Sequence, residues 1–219
     1  MEETKVEEQK STMPRIGDQA PDFEAATSQG NIRLRDYQGK WLVLFSHPSD
    51  FTPVCTTEFV GFQEIYPELK KLNTELLGLS VDSVPSHIAW IRSIEENFHT
   101  NIEFPVIADL DKAVATKYGM IMPGESQVET SRAVFVIDDK KKIRSIIYYP
   151  LTTGRNMNEI LRLVKALQTT DEHGVATPAN WQEGDQAVLS PPKSQEEAAQ
   201  RAQEEGIDYI DWYISKKNI

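Results

Sequence analysis

The stretch Trp41-Leu42-Val43-Leu44-Phe45-Ser46-His47-Pro48-Ser49-Asp50-Phe51-Thr52-Pro53-Val54-Cys55-Thr56-Thr57-Glu58 decides how this chain is read. It opens on a nearly continuous apolar run, the pattern of a strand buried on both faces. Two prolines then break the chain. From Thr56 onward Phe59, Phe62, Ile65, Tyr66, Leu69 and Leu72 recur at helical spacing, with Pro67 as an expected kink. Cys55, the single cysteine of the chain, falls just after the strand and just before this helix. A thiol becomes a useful nucleophile at neutral pH only when its pKa is pulled below about 8.5, and the free amides and positive dipole end of a helix N-terminus act in that direction. A buried structural cysteine would sit within apolar periodicity. The neighbours here are polar or hydroxyl-bearing, so Cys55 reads as a functional thiol.

Working outward, residues 23–27 and 32–34 flank Ser28-Gln29-Gly30-Asn31 as a hairpin. Downstream, the patterning predicts a strand over 76–81, a helix over 86–98, a strand over 104–108 and a short helix over 111–118. Residues 133–137 and 143–149 then flank the charged turn Asp138-Asp139-Lys140-Lys141-Lys142, and an amphipathic helix over 156–168 closes the unit. Parallel units followed by an antiparallel hairpin and a helix predict a thioredoxin-like α/β domain. The expected organisation is a mobile N-terminal tail over 1–12, the α/β domain over 13–170 and a C-terminal extension over 171–219. The extension holds Thr177-Pro178-Ala179-Asn180-Trp181, Pro191-Pro192, a charged helix over 194–205 and the run Ile207-Asp208-Tyr209-Ile210-Asp211-Trp212-Tyr213. So many large aromatic residues are expected to bury, either on the same subunit or on a partner subunit.

The chain has 219 residues, 39% of them hydrophobic, enough for a real core. A formal net charge of -11 repels phosphate backbones and anionic lipid, which argues against nucleic-acid and membrane partners. The longest apolar run falls far short of the roughly 20 residues that span a bilayer. One cysteine cannot close an intramolecular disulfide, and the opening Met1-Glu2-Glu3-Thr4-Lys5-Val6-Glu7-Glu8 has no apolar stretch of signal-peptide type, so the expected location is cytoplasmic.

Pro48-x-x-x-Thr52-x-x-Cys55 resembles the active-site pattern of the peroxiredoxins. Ser46-His47-Pro48, Pro53-Val54-Cys55-Thr56-Thr57-Glu58 and Thr177-Pro178-Ala179-Asn180-Trp181 are similar to the one-cysteine, peroxiredoxin-6-type branch of that family. Ser80-Val81-Asp82-Ser83 with His87 and Trp90, and Tyr149-Pro150-Leu151-Thr152-Thr153-Gly154-Arg155-Asn156, agree with it in order and spacing. The resemblance covers nearly everything after residue 13. It implies a peroxiredoxin fold with a C-terminal extension, and Cys55, Thr52, Pro48 and Arg132 as the catalytic set. Thr52 and Cys55 lie about one helical turn apart, so their side-chain heads can converge on a bound hydroperoxide. Pro48 would shield the sulfur and fix the entry of the loop. Arg132, the family's active-site arginine by resemblance, would favour the thiolate and stabilise charge on the leaving oxygen. Arg155, a second family arginine, would hold Glu58 or the cysteine loop in place. His47 would orient the loop or help the resolving step.

The expected chemistry is antioxidant thiol peroxidase action. Cys55 attacks hydrogen peroxide or an organic hydroperoxide, becomes a sulfenic acid, and is restored by an external thiol, small molecule or protein. No haem, flavin or metal is implied, and the remaining histidines, His87, His99 and His173, read as scattered along the chain. By resemblance the chain assembles as a homodimer or a larger ring such as a decamer. Two rivals stand beside this. Some relatives in the branch are associated with phospholipase activity through a serine motif, but Gly39-Lys40-Trp41-Leu42-Val43-Leu44-Phe45 holds no serine. The other rival is an oligomeric holdase-like binding protein with an incidental thiol.

Overall fold

The computed structural model describes residues 13–219, so the tail expected over 1–12 lies outside the described residues. Two compact units are present, the first ending at Met157 and the second spanning Asn158–Ile219.

In the first unit the chain forms β1 (Glu24–Thr27), β2 (Gly30–Arg33), β3 (Trp41–Ser46), α1 (Pro53–Lys71), β4 (Thr74–Ser80), α2 (Val84–Phe98), β5 (Val106–Ala108), α3 (Ala113–Lys117), β6 (Arg132–Ile137) and β7 (Ile143–Tyr149). These strands make one seven-stranded sheet in the order β2-β1-β5-β4-β3-β6-β7. β3, β4 and β5 run parallel, through the crossovers α1 and α2. β6 lies antiparallel to β3 on its other side, and β7 antiparallel to β6. Parallel neighbours need helical crossovers on the faces, which is why β3 is buried along its whole length.

Alternation sends the side chains of β3 to two faces. Leu42 and Leu44 join Leu77, Leu79, Ile107 and Phe135 in one core cluster. Phe45 turns the other way, stacking on Phe62 of α1 at 3.9 Å between ring centroids and meeting Phe59 and Phe104 edge-on. α1 runs through Pro67 without ending. That proline sits on the exposed side of the helix, where the missing N–H costs least. The β1–β2 hairpin pairs Thr27 with Gly30, whose φ of +106° only glycine adopts freely.

The second unit takes most of α4 (Met157–His173), then β8 (Ala187–Val188), α5 (Gln195–Arg201), β9 (Asp208–Asp211) and β10 (Ile214–Lys217). β8, β10 and β9 form a small antiparallel sheet that the sequence patterning did not anticipate. Every residue of β9 is exposed, so no period-2 burial signal marks it. Of the aromatic residues here, Trp181 is buried and donates to the Asp185 carbonyl at 3.1 Å, whereas Tyr209, Trp212 and Tyr213 stand exposed. Among the described residues no helix is long and apolar enough to cross a membrane.

Candidate active site

β3 delivers the chain to His47 and Pro48 at the carboxyl edge of the parallel strands, the usual place for chemistry in an α/β sheet. The chain then turns sharply: Phe51 has a φ of +54°, a left-handed conformation unusual for a non-glycine residue. Thr52 follows as the N-cap of α1 with extended backbone, and Pro53 occupies the start of the helix, where a missing N–H costs nothing. The Thr52 hydroxyl donates to the Ser49 carbonyl at 2.9 Å, and the Thr52 carbonyl accepts from the Thr56 amide at 3.0 Å and the Thr56 hydroxyl at 2.8 Å. With its hydrogen committed to Ser49, the Thr52 oxygen can present lone pairs. Cys55 therefore lies in the first turn of α1, and its side chain is fully buried.

Above the sulfur sits a guanidinium. Arg132, the first residue of β6, places Nη1 3.3 Å from Cys55 Sγ and 2.7 Å from Glu58 Oε2. Its Nε and Nη2 both donate to the Leu151 carbonyl, at 2.9 and 2.7 Å, which fixes the plane of the group. Glu58, one turn beyond Cys55 on α1, is gripped by a second guanidinium. Arg155 Nε and Nη2 reach Glu58 Oε1 and Oε2 at 2.8 and 2.7 Å, and the Arg155 amide adds a bond of 2.9 Å. Arg155 Nη1 ties this pair to the sheet through the carbonyls of Ser46 and Ala133, both at 2.9 Å. Burial alone would push the Glu58 carboxyl up, but the charge and hydrogen bonds of Arg155, then the charge of Arg132, outweigh it and hold the group below its usual range.

On the other side of the loop, His47 is completely buried, with Nε2 2.9 Å from Asp50 Oδ1. Its backbone is locked as well, the amide donating to the Leu79 carbonyl and the carbonyl accepting from the Thr130 hydroxyl at 2.6 Å. Burial pushes the His47 imidazole down, against the pull of Asp50. Asp50 in turn is hydrogen-bonded to His47 and His87, and these bonds overcome the burial that would raise its carboxyl.

Cys55, Thr52, Pro48, Glu58 and His47 thus occupy one local segment, and the fold brings Arg132 and Arg155 to it from β6 and from the segment after β7. One reading from sequence needs correction. His87 is not remote from His47: both rings face Asp50, and the three ligating atoms lie within 4.8 Å of one another. Those atoms are already bonded to one another, and Asp50 Oδ2 also accepts from the Ser86 hydroxyl. Asp50, Ser86 and the Leu151 carbonyl received no role from sequence. The signal available was the position of Asp50, His87 and Leu151 within family-like stretches.

A lone thiol at the start of a helix, facing a buried guanidinium at the carboxyl edge of a thioredoxin-like sheet, defines a cysteine-dependent redox enzyme. Residues 16–146 match the AhpC/TSA family, and residues 166–205 match the C-terminal domain of 1-Cys peroxiredoxin. A peroxiredoxin of Aquifex aeolicus is 53% identical over 219 residues, covering 95% of this chain and 98% of the relative. The structure of a yeast mitochondrial 1-Cys peroxiredoxin superimposes with a TM-score of 0.85 at 44% identity, covering 94% of this chain and 100% of that one. A cysteine-to-serine variant of the peroxiredoxin 6 of Arenicola marina gives 0.84 at 36% identity, over 94% and 99%. The chain belongs to the peroxiredoxin family, with a thioredoxin-like fold and a C-terminal extension, and is a thiol-dependent peroxidase.

Proposed function

We propose that this chain is a one-cysteine peroxidase acting on hydrogen peroxide and organic hydroperoxides, with Cys55 as nucleophile and Thr52, Pro48 and Arg132 as the groups around it. The observation that carries the reading is the 3.3 Å contact between Arg132 Nη1 and the sulfur of the only cysteine. The Arg132 guanidinium and the amino end of α1 are both placed to stabilise charge that develops at the sulfur and the attacked oxygen. The thiolate attacks the terminal oxygen of the hydroperoxide, the O–O bond breaks, and the electron pair leaves as hydroxide or alkoxide. Solvent protonates that product to water or an alcohol, and Cys55 is left as a sulfenic acid. Thr52 accepts a hydrogen bond from the hydroperoxide, Arg132 steadies the charge as it passes to the leaving oxygen, and Pro48 keeps water off the sulfur. The Leu151 carbonyl holds Arg132 in plane, Glu58, itself gripped by Arg155, anchors Arg132 Nη1, and His47 holds the loop.

With one thiol in the chain, the sulfenic acid is resolved from outside. A reductant thiol forms a mixed disulfide with loss of water, and a second thiol releases Cys55 as thiol and leaves with the disulfide. For the yeast relative the thiol resolving mechanism runs via the glutathione and thioredoxin systems, which supports an external thiol here. A peroxidase domain over 13–170 with an extension over 171–219 is proposed; two separate family matches, 16–146 and 166–205, support a two-part division, with residues 166–170 falling in the second match. A homodimer or a larger ring is proposed, with the exposed Tyr209, Trp212 and Tyr213 favouring a contact with a partner subunit over burial within one subunit.

The test is intact mass and peroxide consumption after adding hydrogen peroxide, with and without dithiothreitol, for wild type and Cys55→Ser. Turnover with dithiothreitol, arrest after oxygen addition without it, and neither behaviour in the variant support the reading. A Cys55 that stays reduced while peroxide persists refutes it and leaves the holdase-like alternative.

A further inference from the structure

Asp50 sits at the centre of a buried network that no role assigned above explains. Its Oδ1 faces His47 Nε2 at 2.9 Å, and its Oδ2 faces His87 Nδ1 at 2.8 Å and accepts from Ser86 Oγ at 2.8 Å. Its amide donates to Asp82 Oδ2 at 3.0 Å, and the same Asp82 oxygen accepts from Ser80 Oγ at 2.7 Å. His87 is fully buried on α2, and its second nitrogen, Nε2, faces the Ile107 carbonyl of β5 at 3.1 Å.

Donor and acceptor balance fixes the two rings in different states. A carbonyl oxygen can only accept, and so can an ionised carboxylate. Both nitrogens of His87 face such oxygens, contacts that each nitrogen can make only as a donor. His47 differs. Its Nε2 faces Asp50, while its Nδ1 is buried and has no hydrogen-bond partner among the described residues. With burial holding that ring neutral, its hydrogen lies on Nε2 and a bare lone pair on Nδ1. One carboxylate is thus shared between the two rings, with His47 on one oxygen and His87 on the other.

The position of Asp50 gives this network its target. The next residue is Phe51, whose left-handed backbone makes the turn into α1 and whose side chain, 59% exposed, is not packed tightly enough to hold that turn. Thr52 and Cys55 follow directly. Within the turn the Thr52 hydroxyl bonds the Ser49 carbonyl, and the turn is tied to the rest of the unit by the carboxylate and amide of Asp50, through groups of β4, the β4–α2 loop, α2 and β5. We infer that His87, acting through Asp50, is a positioning residue for the reaction at Cys55: its doubly protonated ring clamps the carboxylate that fixes both the turn delivering Thr52 and Cys55 and the lone pair of His47. The groups facing the His87 ring are His47 and Asp50 from the cysteine loop, Ser86 beside it on α2 and the Ile107 carbonyl from β5, with Asp82 behind the Asp50 amide. The inference rests on Cys55 being the peroxide-reactive group, and it concerns a residue that never touches the substrate.

Two measurements on the full chain test it. Long-range ¹H–¹⁵N spectra of the reduced wild-type protein should give His87 two protonated ring nitrogens and His47 one protonated Nε2 and one bare Nδ1. A bare nitrogen on His87 overturns the inference whether or not any variant folds. Stopped-flow oxidation of Cys55 by hydrogen peroxide is then compared for wild type, His87→Gln, Asp50→Asn and the double variant, with Cys55→Ser as blank and thermal unfolding as the check on folding. Each single change in a cooperatively folded variant should slow oxidation about a hundredfold, the cost of misplacing reacting groups by about an ångström. The double variant should be no slower than the worse single one, because both act through one clamp. Wild-type rates in folded single variants, or losses that multiply in the double variant, overturn it. Should wild type itself leave Cys55 reduced, the peroxidase reading falls and this inference with it. Slow variants beside a fast wild type separate the two.

Discussion

Arg132 meets three partners with one planar group, and that geometry separates it from a mere positive charge. Two of its nitrogens are spent on the Leu151 carbonyl, so the third is aimed between Cys55 Sγ and Glu58 with no freedom to swing. Lysine would keep the charge and lose the aim. Arg132→Lys should therefore slow the oxidation of Cys55 by about 10²- to 10³-fold, the cost of losing one preorganised donor, as stopped-flow peroxide kinetics would register. Glu58 makes a different prediction, because it neutralises two buried guanidiniums. Glu58→Gln leaves both without their counter-charge and should destabilise the protein by about 3–5 kcal/mol near neutral pH. Its folded pKa is depressed, so the stability it adds is complete above the unfolded value of about 4.3 and is lost as pH falls through the lower folded value. Urea unfolding of wild type and variant across pH 7 to 3 should show a gap that is constant at the upper end and narrows below about pH 4.3. A gap that widened on acidification would count against the charge assignment.

At the scale of elements, β3 and α1 are held together by aromatic packing through Phe45. Its ring lies on Phe62 and against Phe59 and Phe104, and the Arg155 guanidinium sits 5.3 Å from its centroid. Phe45→Ala should cost about 3–5 kcal/mol in urea unfolding and loosen Arg155 as well, so Cys55 oxidation should slow in the molecules that remain folded. The cap of α2 is a smaller matter. Ser83 accepts from the Ser86 amide at 3.3 Å, and Ser83→Ala should cost about 1 kcal/mol without changing peroxide kinetics as strongly as Phe45→Ala does. These elements were legible in the sequence because their signals are local and strong: a continuous apolar run for β3, a helical stripe from Phe59 to Leu72 for α1, and prolines marking the turn between them. β9 and β10 were not legible, since a short hairpin exposed along β9 leaves no alternation to read. α1 continues through Pro67 because a proline on the solvent side of a long amphipathic helix is carried by the packing of the opposite face.

For the molecule as a whole, the site divides by reach along the chain. Cys55, Thr52, Pro48 and Glu58 share one strand–turn–helix segment, where spacing alone could bring them together. Arg132 and Arg155 lie 77 residues beyond Cys55 and 97 beyond Glu58, and only the family pattern singled them out from other surface-type arginines. The Asp50–His87 pairing escaped both routes, because nothing local joins a loop after β3 to the first turns of α2. Assembly is a separable property. The paired change Trp212→Ala and Tyr213→Ala should shift the sedimentation profile toward smaller species while leaving the rate of Cys55 oxidation unchanged, and an unaltered profile would remove the aromatic hairpin from the proposed contact. The pairing of β6 beside β3 also sets the order in which the site is assembled as the chain is made. α1 and its thiol leave the ribosome well before Arg132 does, and Arg132 can reach Cys55 only once β6 has closed against β3, a slow, long-range step. Until that moment the thiol meets peroxide without a guanidinium beside it. Chains unfolded in urea, in which Arg132 is not held beside Cys55, should therefore oxidise at that sulfur more slowly than folded ones, as peroxide labelling followed by intact mass would register.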